Sequence, residues 1–164
     1  MIKKEYERLK SDPNYTDVAF NPANGGLKAT HKEHSFDPSP SPFGINMQRG
    51  DYEKKSRDIL FENGHKVILQ SERTEDKLKV SDGFLDDKKF DIKGIETLNN
   101  RNIKDKLFAA SKQDAETIVL YYPNAQVFSS AELKKQVDAY YRISTKKNIK
   151  YIYYIIDNQL HKHI

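Results

Sequence analysis

The sequence contains no cysteine among its 164 residues. Disulfides and thiolate metal sites therefore cannot hold the fold, and redox chemistry at sulfur is excluded. No apolar run approaches the roughly 20 residues that cross a bilayer, and the start of the chain, "MIKKEYERLK", lacks the apolar core of a secretory signal. We therefore expect a protein that is made in the cytoplasm, has no membrane partner and is stabilised by its core alone.

The charge balance is mildly basic. Charged residues make up 32% of the chain and the net charge is +4, with acids and bases well mixed. This balance permits a phosphate-rich partner without requiring one. The length suits one compact domain, which we divide into an N-terminal arm, residues 1–50, and an α+β domain, residues 51–164.

The arm shows little regular patterning. Apolar residues at helical spacing predict a short helix over residues 2–10, and no sustained periodicity follows before Gly50. The stretch "GGLKATHKEHSFD" carries two histidines, His31 and His34. It runs into "DPSPSPFG", a connector whose prolines exclude helix interior and central strand. A loop of this length is usually either functional or disordered.

From residue 51 the patterns become regular. Asp51 can cap a helix that stops at Gly64, "ETIVLYYP" is a β-branched and aromatic strand, and Ser129 with Glu132 forms a capping box for a later helix. The predicted element order is α, β, β, β, α, β, α, β, β. This order predicts an α+β fold in which helices pack on a central, largely antiparallel sheet.

One predicted strand carries charged side chains that could take part in catalysis. The run "KKFDIKGIE" (residues 88–96) alternates apolar and charged residues, which predicts a half-buried strand whose accessible face bears Asp91 and Lys93. With Asp82, and with Glu53 on a preceding helix, these residues match the arrangement of restriction-type nucleases. There the carboxylates hold a divalent metal and the lysine steadies the attacking water or the phosphate. A solvated strand face without function is the alternative interpretation.

The next segment, "ETLNNRNI", places polar residues where the strand meets a helix: Thr97, Asn99, Asn100, Arg101 and Asn102. Backbone N–H groups at a helix start attract phosphate, and an arginine there can make paired hydrogen bonds to phosphate oxygens. We therefore interpret the junction as a phosphate cup, with a well-capped helix as the alternative.

The histidine pair allows three interpretations. His31 and His34 could ligate a metal if the segment were helical, but no third ligand is obvious in the sequence. They could instead act as base and acid in RNA cleavage, one taking the proton of the ribose 2′-hydroxyl and the other protonating the leaving 5′-oxygen. Lys93 or Arg101 would then stabilise charge on the phosphate. Two ordinary loop histidines are the third interpretation.

The run "SDGFLDDKKFDIKGIETLNNRNIKDKLFAASKQDAETIVLYYP" resembles the C-terminal tRNase domain of contact-dependent growth inhibition toxins. The shared features are a carboxylate before a short strand, "DKKFD", a Thr with "NNRNI", a helix that ends near Gln113, and an "IVL" strand. "FNPANGGLKATHKEHSFD" is similar to a segment that precedes such domains in C-terminal extensions of Mu-type phage head morphogenesis proteins.

The resemblance implies a fold and an activity. The fold would be that of barnase, EndoU, colicin and RelE nucleases, with helices followed by a curved antiparallel sheet. The activity would be metal-independent RNA cleavage, often of tRNA, after delivery into a target bacterium, with a cognate immunity protein that blocks the site. By position the family's site residues correspond to Asp91, Thr97, Asn100 and Arg101. Lys93 is not required by the family pattern, and it keeps a metal-dependent site open.

We therefore predict a toxin ribonuclease that cleaves RNA, in particular tRNA, by transesterification without a metal or other cofactor. The predicted catalytic residues are His31, His34, Asp91, Lys93, Thr97 and Arg101, and the predicted substrate-binding residues are Asn99, Asn100 and Asn102. One alternative is a metal-dependent restriction-type DNase that uses Glu53, Asp82, Asp91 and Lys93. Another is a non-enzymatic, phage-associated binding or structural module.

Overall fold

A computed structural model of the chain describes residues 2–71 and 81–164. Within these residues the chain forms four α-helices and eight β-strands. In chain order they are α1 (Ile2–Ser11), β1 (Tyr15–Asn21), β2 (Gly26–His31), α2 (Gly50–Glu62), β3 (Lys66–Leu69), β4 (Gly83–Leu85), β5 (Lys88–Gly94), α3 (Asn102–Lys112), β6 (Thr117–Tyr122), α4 (Ser130–Ile143), β7 (Tyr151–Ile156) and β8 (Gln159–Lys162). No helix in this part of the chain is long and apolar enough to cross a membrane.

The strands form one curled sheet in which they lie side by side in chain order, from β1 to β8. The predicted α+β class is confirmed, but the sheet is mixed rather than largely antiparallel. β2 with β3, β5 with β6 and β6 with β7 are parallel pairs, and the other neighbours are antiparallel. The reason is that α2, α3 and α4 each connect one of these pairs, and a crossover helix returns the chain to run in the same direction.

From residue 51 onward the predicted order of elements matches the structure. Ser129 caps α4 as predicted, since its hydroxyl accepts a hydrogen bond from the Glu132 N–H, and Gly64 follows α2 with a φ of 86°. The start of α2 differs from the prediction. The helix begins at Gly50, one residue before Asp51, and its N-cap residue Arg49 makes no side-chain capping bond.

The expectation that residues 11–50 lack regular structure is wrong, because β1 and β2 form an antiparallel hairpin there. The signal of β2 is weak because its alternation of apolar and polar residues spans only Leu27 to Thr30. Leu27 and Ala29 have no exposed surface, and they pack with Leu9 of α1 and Ile68 of β3. In β1 a register shift between Thr16 and Ala19 interrupts the two-residue period.

The core lies on both faces of the sheet. All of β6 is buried, and its side chains alternate between two apolar clusters: Ile118 and Leu120 pack with α3 and α4, while Val119 and Tyr121 pack with α2. Successive strand residues point to opposite faces, so the sheet is sandwiched between helices at this point. This arrangement holds α2 against β5, and the candidate site lies where they meet.

Candidate functional site

Three side chains from distant segments meet at one point. His34 lies just after β2, Glu53 in the first turn of α2, and Asp82 immediately before β4. His34 Nε2 is 2.6 Å from Glu53 Oε2. One nitrogen or oxygen ligand atom from each of the three residues lies within 4.8 Å of the other two. We call these three residues the His34 cluster.

Asp91 extends the cluster from β5. The register of the β4–β5 hairpin, in which Gly83 pairs with Phe90, places Asp82 beside Asp91. The Asp82 N–H donates to Asp91 Oδ1 at 2.8 Å, and the Ile92 N–H donates to Asp82 Oδ2 at 2.7 Å. These two bonds fix both carboxylates relative to the backbone of the hairpin.

The sequence predicts that Asp91 lies on the accessible face of its strand, and this prediction is wrong. Asp91 has no exposed surface, and Lys93 is 15% exposed, with its Nζ 3.7 Å from Asp91 Oδ2. The reason is that Asp91 pairs with Ile118 of β6, which places it on the face of the sheet that α3 and α4 cover. A buried carboxylate with a nearby lysine is costly unless the charges are paired, and such pairs are common at functional sites.

The two histidines of the arm have different surroundings. The His34 side chain is completely buried, and its Nδ1 is 2.6 Å from the carbonyl oxygen of Gln70. His31, at the end of β2, accepts a hydrogen bond at Nδ1 from the Glu33 N–H and packs edge-on against Tyr15. Of the pair, the structure brings His34 into the cluster.

A cleft of about 230 Å³ lies beside the His34 cluster and contacts it through Glu53. Glu53 and Lys93 both lie in its wall, so a molecule in the cleft could touch the cluster and the lysine together. The residues that line the cleft are Asp37, Arg49, Tyr52, Glu53, Ile92, Lys93, Gly94, Glu96 and Lys106.

A second carboxylate, Glu96, forms another part of the wall. The Arg49 guanidinium donates to both of its oxygens, at 2.9 Å and 3.0 Å, and the Tyr52 hydroxyl donates to it at 2.7 Å. Burial opposes ionisation of Glu96, but these hydrogen bonds outweigh burial and hold its pKa below the usual range. Burial also raises the pKa of Tyr52 to about 12. Glu96 is therefore an ionised structural partner that ties the arm to β5.

The polar junction before α3 caps its own helix. The Asn102 N–H donates to Asn99 Oδ1, the Ile103 N–H to Asn102 Oδ1, and the Lys104 N–H to Gln136 Oε1. The first three helical N–H groups thus have protein acceptors. Capping therefore accounts for two of the three asparagines that the sequence interpretation assigned to phosphate.

Arg101, Thr97 and Asn100 are solvent-exposed at this junction. Arg101 pairs with Asp105 one turn further along α3, at 3.3 Å, and the Thr97 carbonyl accepts a hydrogen bond from Asn102. The hydrogen bonds of Thr97 and Arg101 run to Asn99, Asn102 and Asp105, within the junction and the start of α3. The role of Thr97, Asn100 and Arg101 in binding phosphate stays a prediction.

Arg49, Tyr52, Glu96 and Lys106 line the cleft but were not predicted from the sequence. Arg49 and Glu96 are 47 positions apart, and each alone looks like an ordinary surface charge. His34 and the carboxylates Glu53 and Asp82 belonged to competing hypotheses. No local signal could have joined them, because their contacts depend on the pairing of β2 with β3 and on the placement of α2.

No protein-family model, curated protein or solved structure matches the chain. The chemistry of the donors is therefore the guide to what the site does. Metal–ligand bonds of roughly 2.0–2.2 Å place neighbouring ligand atoms about 3–4 Å apart. The ligand atoms of the His34 cluster fit a single divalent ion if the contact between His34 and Glu53 opens slightly.

Proposed function

We propose that the protein is a metal-dependent nuclease that hydrolyses phosphodiester bonds. The observation that carries this proposal is a chain of contacts: Glu53 and Asp82 have ligand atoms within 4.8 Å of each other, the Asp82 N–H donates to Asp91, and Lys93 pairs with Asp91. These residues are the set that the Asp-x-Lys pattern suggested, and two of them, Glu53 and Lys93, line the same cleft. The spacing of these residues along the chain does not by itself bring them together.

The carboxylates supply the negative charge that a divalent ion requires. Glu53 and Asp82 would hold the ion directly, because each has a ligand oxygen within 4.8 Å of the other. Asp91 lies behind them and orients Asp82 by accepting the hydrogen bond from its N–H. Bound there, the ion would lower the pKa of a water and neutralise charge on the scissile phosphate.

Lys93 places a positive charge where the cleft meets the cluster. Its ammonium group lies 3.7 Å from Asp91 Oδ2, which holds it in place while leaving it in the wall of the cleft. From there it would contact the phosphate or the attacking water and stabilise the charge that develops in the transition state. Lys106 and Arg49 line the same cleft, so phosphate groups on either side of the scissile bond would meet further cations.

A second candidate is metal-independent cleavage of RNA, such as tRNA, by a toxin with an immunity protein. The observation that favours it is the short contact between His34 and Glu53, 2.6 Å beside Lys93. An imidazole and a carboxylate at that distance can serve as general acid and general base. This route requires the 2′-hydroxyl of the substrate as nucleophile and would leave DNA intact.

The two candidate functions predict different substrates and a different dependence on metal. The purified protein is incubated with plasmid DNA and with total tRNA, in EDTA and with added divalent ions. For the metal-dependent nuclease we expect cleavage that appears with metal and stops in EDTA, and that falls roughly 100-fold or more in Lys93→Ala. Lys134→Ala, on the exposed side of α4, is the matched control.

Cleavage of tRNA alone, undiminished in EDTA, would support the second candidate instead. No cleavage of either substrate under any of these conditions would contradict both candidates and favour the non-enzymatic interpretation. Circular dichroism of each variant confirms that a loss of activity is not a loss of fold.

A further inference from the structure

His34 has the position of a metal ligand and not that of a surface histidine. We propose that His34 Nε2 binds the ion of the metal centre directly. Its nitrogen would make the centre select a first-row transition ion such as Co²⁺ or Zn²⁺ over Mg²⁺ and Ca²⁺. This inference rests on the proposed function, because it assigns the class of metal that the same carboxylates hold.

The first argument is the orientation of the ring. His34 Nδ1 lies 2.6 Å from the Gln70 carbonyl oxygen. A carbonyl only accepts, so Nδ1 carries the hydrogen and Nε2 is the nitrogen that faces the cluster. Histidines that bind metals usually donate their other N–H to a carbonyl or carboxylate, which fixes the tautomer and the ring. Phe36 packs edge-on against the ring at 4.8 Å and limits its rotation.

The second argument is the placement of the oxygen donors. Glu53 Oε2 already lies 2.6 Å from His34 Nε2, and the Asp82 carboxylate lies within the same 4.8 Å group of atoms. Asp82 is held through the Ile92 N–H at 2.7 Å. The three donors come from three separate segments of the chain: the stretch after β2, the first turn of α2 and the residue before β4. Their geometry therefore does not depend on the flexibility of one loop.

The third argument is the chemistry of the donor set. Sites built from carboxylate oxygens alone suit Mg²⁺, Ca²⁺ and Mn²⁺, whereas an imidazole nitrogen suits Zn²⁺, Fe²⁺ and Ni²⁺. Affinity for nitrogen and oxygen sites rises along the first transition series from Mn²⁺ towards Cu²⁺. The chain has no cysteine that could compete for such an ion. One buried nitrogen among carboxylates therefore shifts the preference away from Mg²⁺.

A purely structural pair is the competing explanation. In that case His34 and Glu53 only fasten the arm to α2, and replacing His34 would lower stability without changing which metal binds. The two explanations predict different metal preferences, because a purely structural role of His34 would leave the relative affinity for Zn²⁺ and Mg²⁺ unchanged.

The experiment measures binding of Co²⁺, Zn²⁺ and Mg²⁺, each alone, by isothermal titration calorimetry, with the visible spectrum of Co²⁺ as a second readout. We expect the wild type to bind Co²⁺ and Zn²⁺ at least tenfold more tightly than Mg²⁺. His34→Gln should lose at least tenfold in affinity for Co²⁺ and Zn²⁺ and change less than threefold for Mg²⁺. The matched control is His31→Ala, which should bind all three ions like the wild type.

Equal affinity of the wild type for Zn²⁺ and Mg²⁺, or wild-type Zn²⁺ affinity in His34→Gln, would overturn the inference. If His34→Gln does not fold, the imidazole signals of the wild type in a ¹⁵N NMR spectrum replace it. Zn²⁺ must then shift the ring nitrogens of His34 and leave those of His31 in place, and the opposite result overturns the assignment.

Failure of the inference and failure of the proposed function give different results. Zn²⁺ binding through His34 without cleavage of any nucleic acid would keep the ligand assignment and refute the nuclease. Cleavage supported by Mg²⁺, together with Zn²⁺ affinity that does not depend on His34, would keep the nuclease and refute the ligand assignment.

Discussion

Replacing Tyr52 by phenylalanine removes one hydroxyl from the cleft wall and leaves the ring in place. The hydroxyl donates to Glu96 at 2.7 Å and lies 2.6 Å from the Ser41 hydroxyl, while the ring stays stacked on Tyr121. A hydrogen bond to a charged group contributes about 1.5–3 kcal/mol. For a chain of this size each kcal/mol shifts the melting temperature by roughly 2–4 °C. We therefore expect Tyr52→Phe to melt roughly 3–12 °C below the wild type.

Tyr140→Phe is the matched control, because it makes the same chemical change at a hydroxyl with the opposite surroundings. Tyr140 is fully buried, and within the described part of the chain its hydroxyl has no hydrogen-bond partner. Removing an unsatisfied buried polar group costs nothing or stabilises the protein. Thermal and urea unfolding, followed by circular dichroism, should therefore show a loss for Tyr52→Phe and no loss for Tyr140→Phe.

The pH dependence tests the same contact. Against the effect of burial, hydrogen bonds from Arg49 and Tyr52 hold the pKa of Glu96 below its usual range. A carboxylate with a lowered pKa stabilises the folded state above its unfolded pKa, and this stability is lost as the pH falls through the folded pKa. The difference between wild type and Tyr52→Phe should thus be largest near neutral pH and shrink below about pH 4. Equal losses in both tyrosine variants, or a difference independent of pH, would refute the reasoning.

Three further predictions concern packing, a buried charge and the metal. In Gly94→Ala the new Cβ would lie 2.7 Å from Tyr52 Cδ2. We therefore expect the free energy of unfolding, measured in urea, to fall by about 1–3 kcal/mol. An unchanged free energy of unfolding would show that the Tyr52 ring moves freely. Arg57 is 7% exposed and pairs with Asp58, which is 41% exposed. We expect Arg57→Ala to lose about 1–3 kcal/mol of stability, mainly because the buried Thr30 hydroxyl loses its donor at 2.8 Å. A loss below about 0.5 kcal/mol would contradict its structural role. Zn²⁺ at 100 times its dissociation constant should stabilise the protein by about 2.7 kcal/mol and raise its melting temperature by roughly 5–11 °C. A melting temperature that does not change with Zn²⁺ would contradict the metal centre.

Much of the fold from residue 51 onward could be predicted because its signals are local. The turn at Asp86 and Asp87 and the turn at Asp157 and Asn158 both use positive φ angles, which aspartate and asparagine tolerate better than most residues. The direction of the strands could not be predicted in the same way. Whether two strands run parallel depends on whether the helix between them packs back along the sheet and returns the chain to the same end, and this choice depends on packing.

The sequence by itself determined which groups are available for chemistry and excluded others. Without cysteine, the donors are imidazole and carboxylate, and the Asp91–Lys93 spacing on one strand follows from the two-residue period of β structure. Only the tertiary structure decided that His34 joins Glu53 and Asp82 and that Asp91 is buried. The physical reason is that these contacts cross between β2, α2 and the β4–β5 hairpin, so they exist only after the core has brought those elements together.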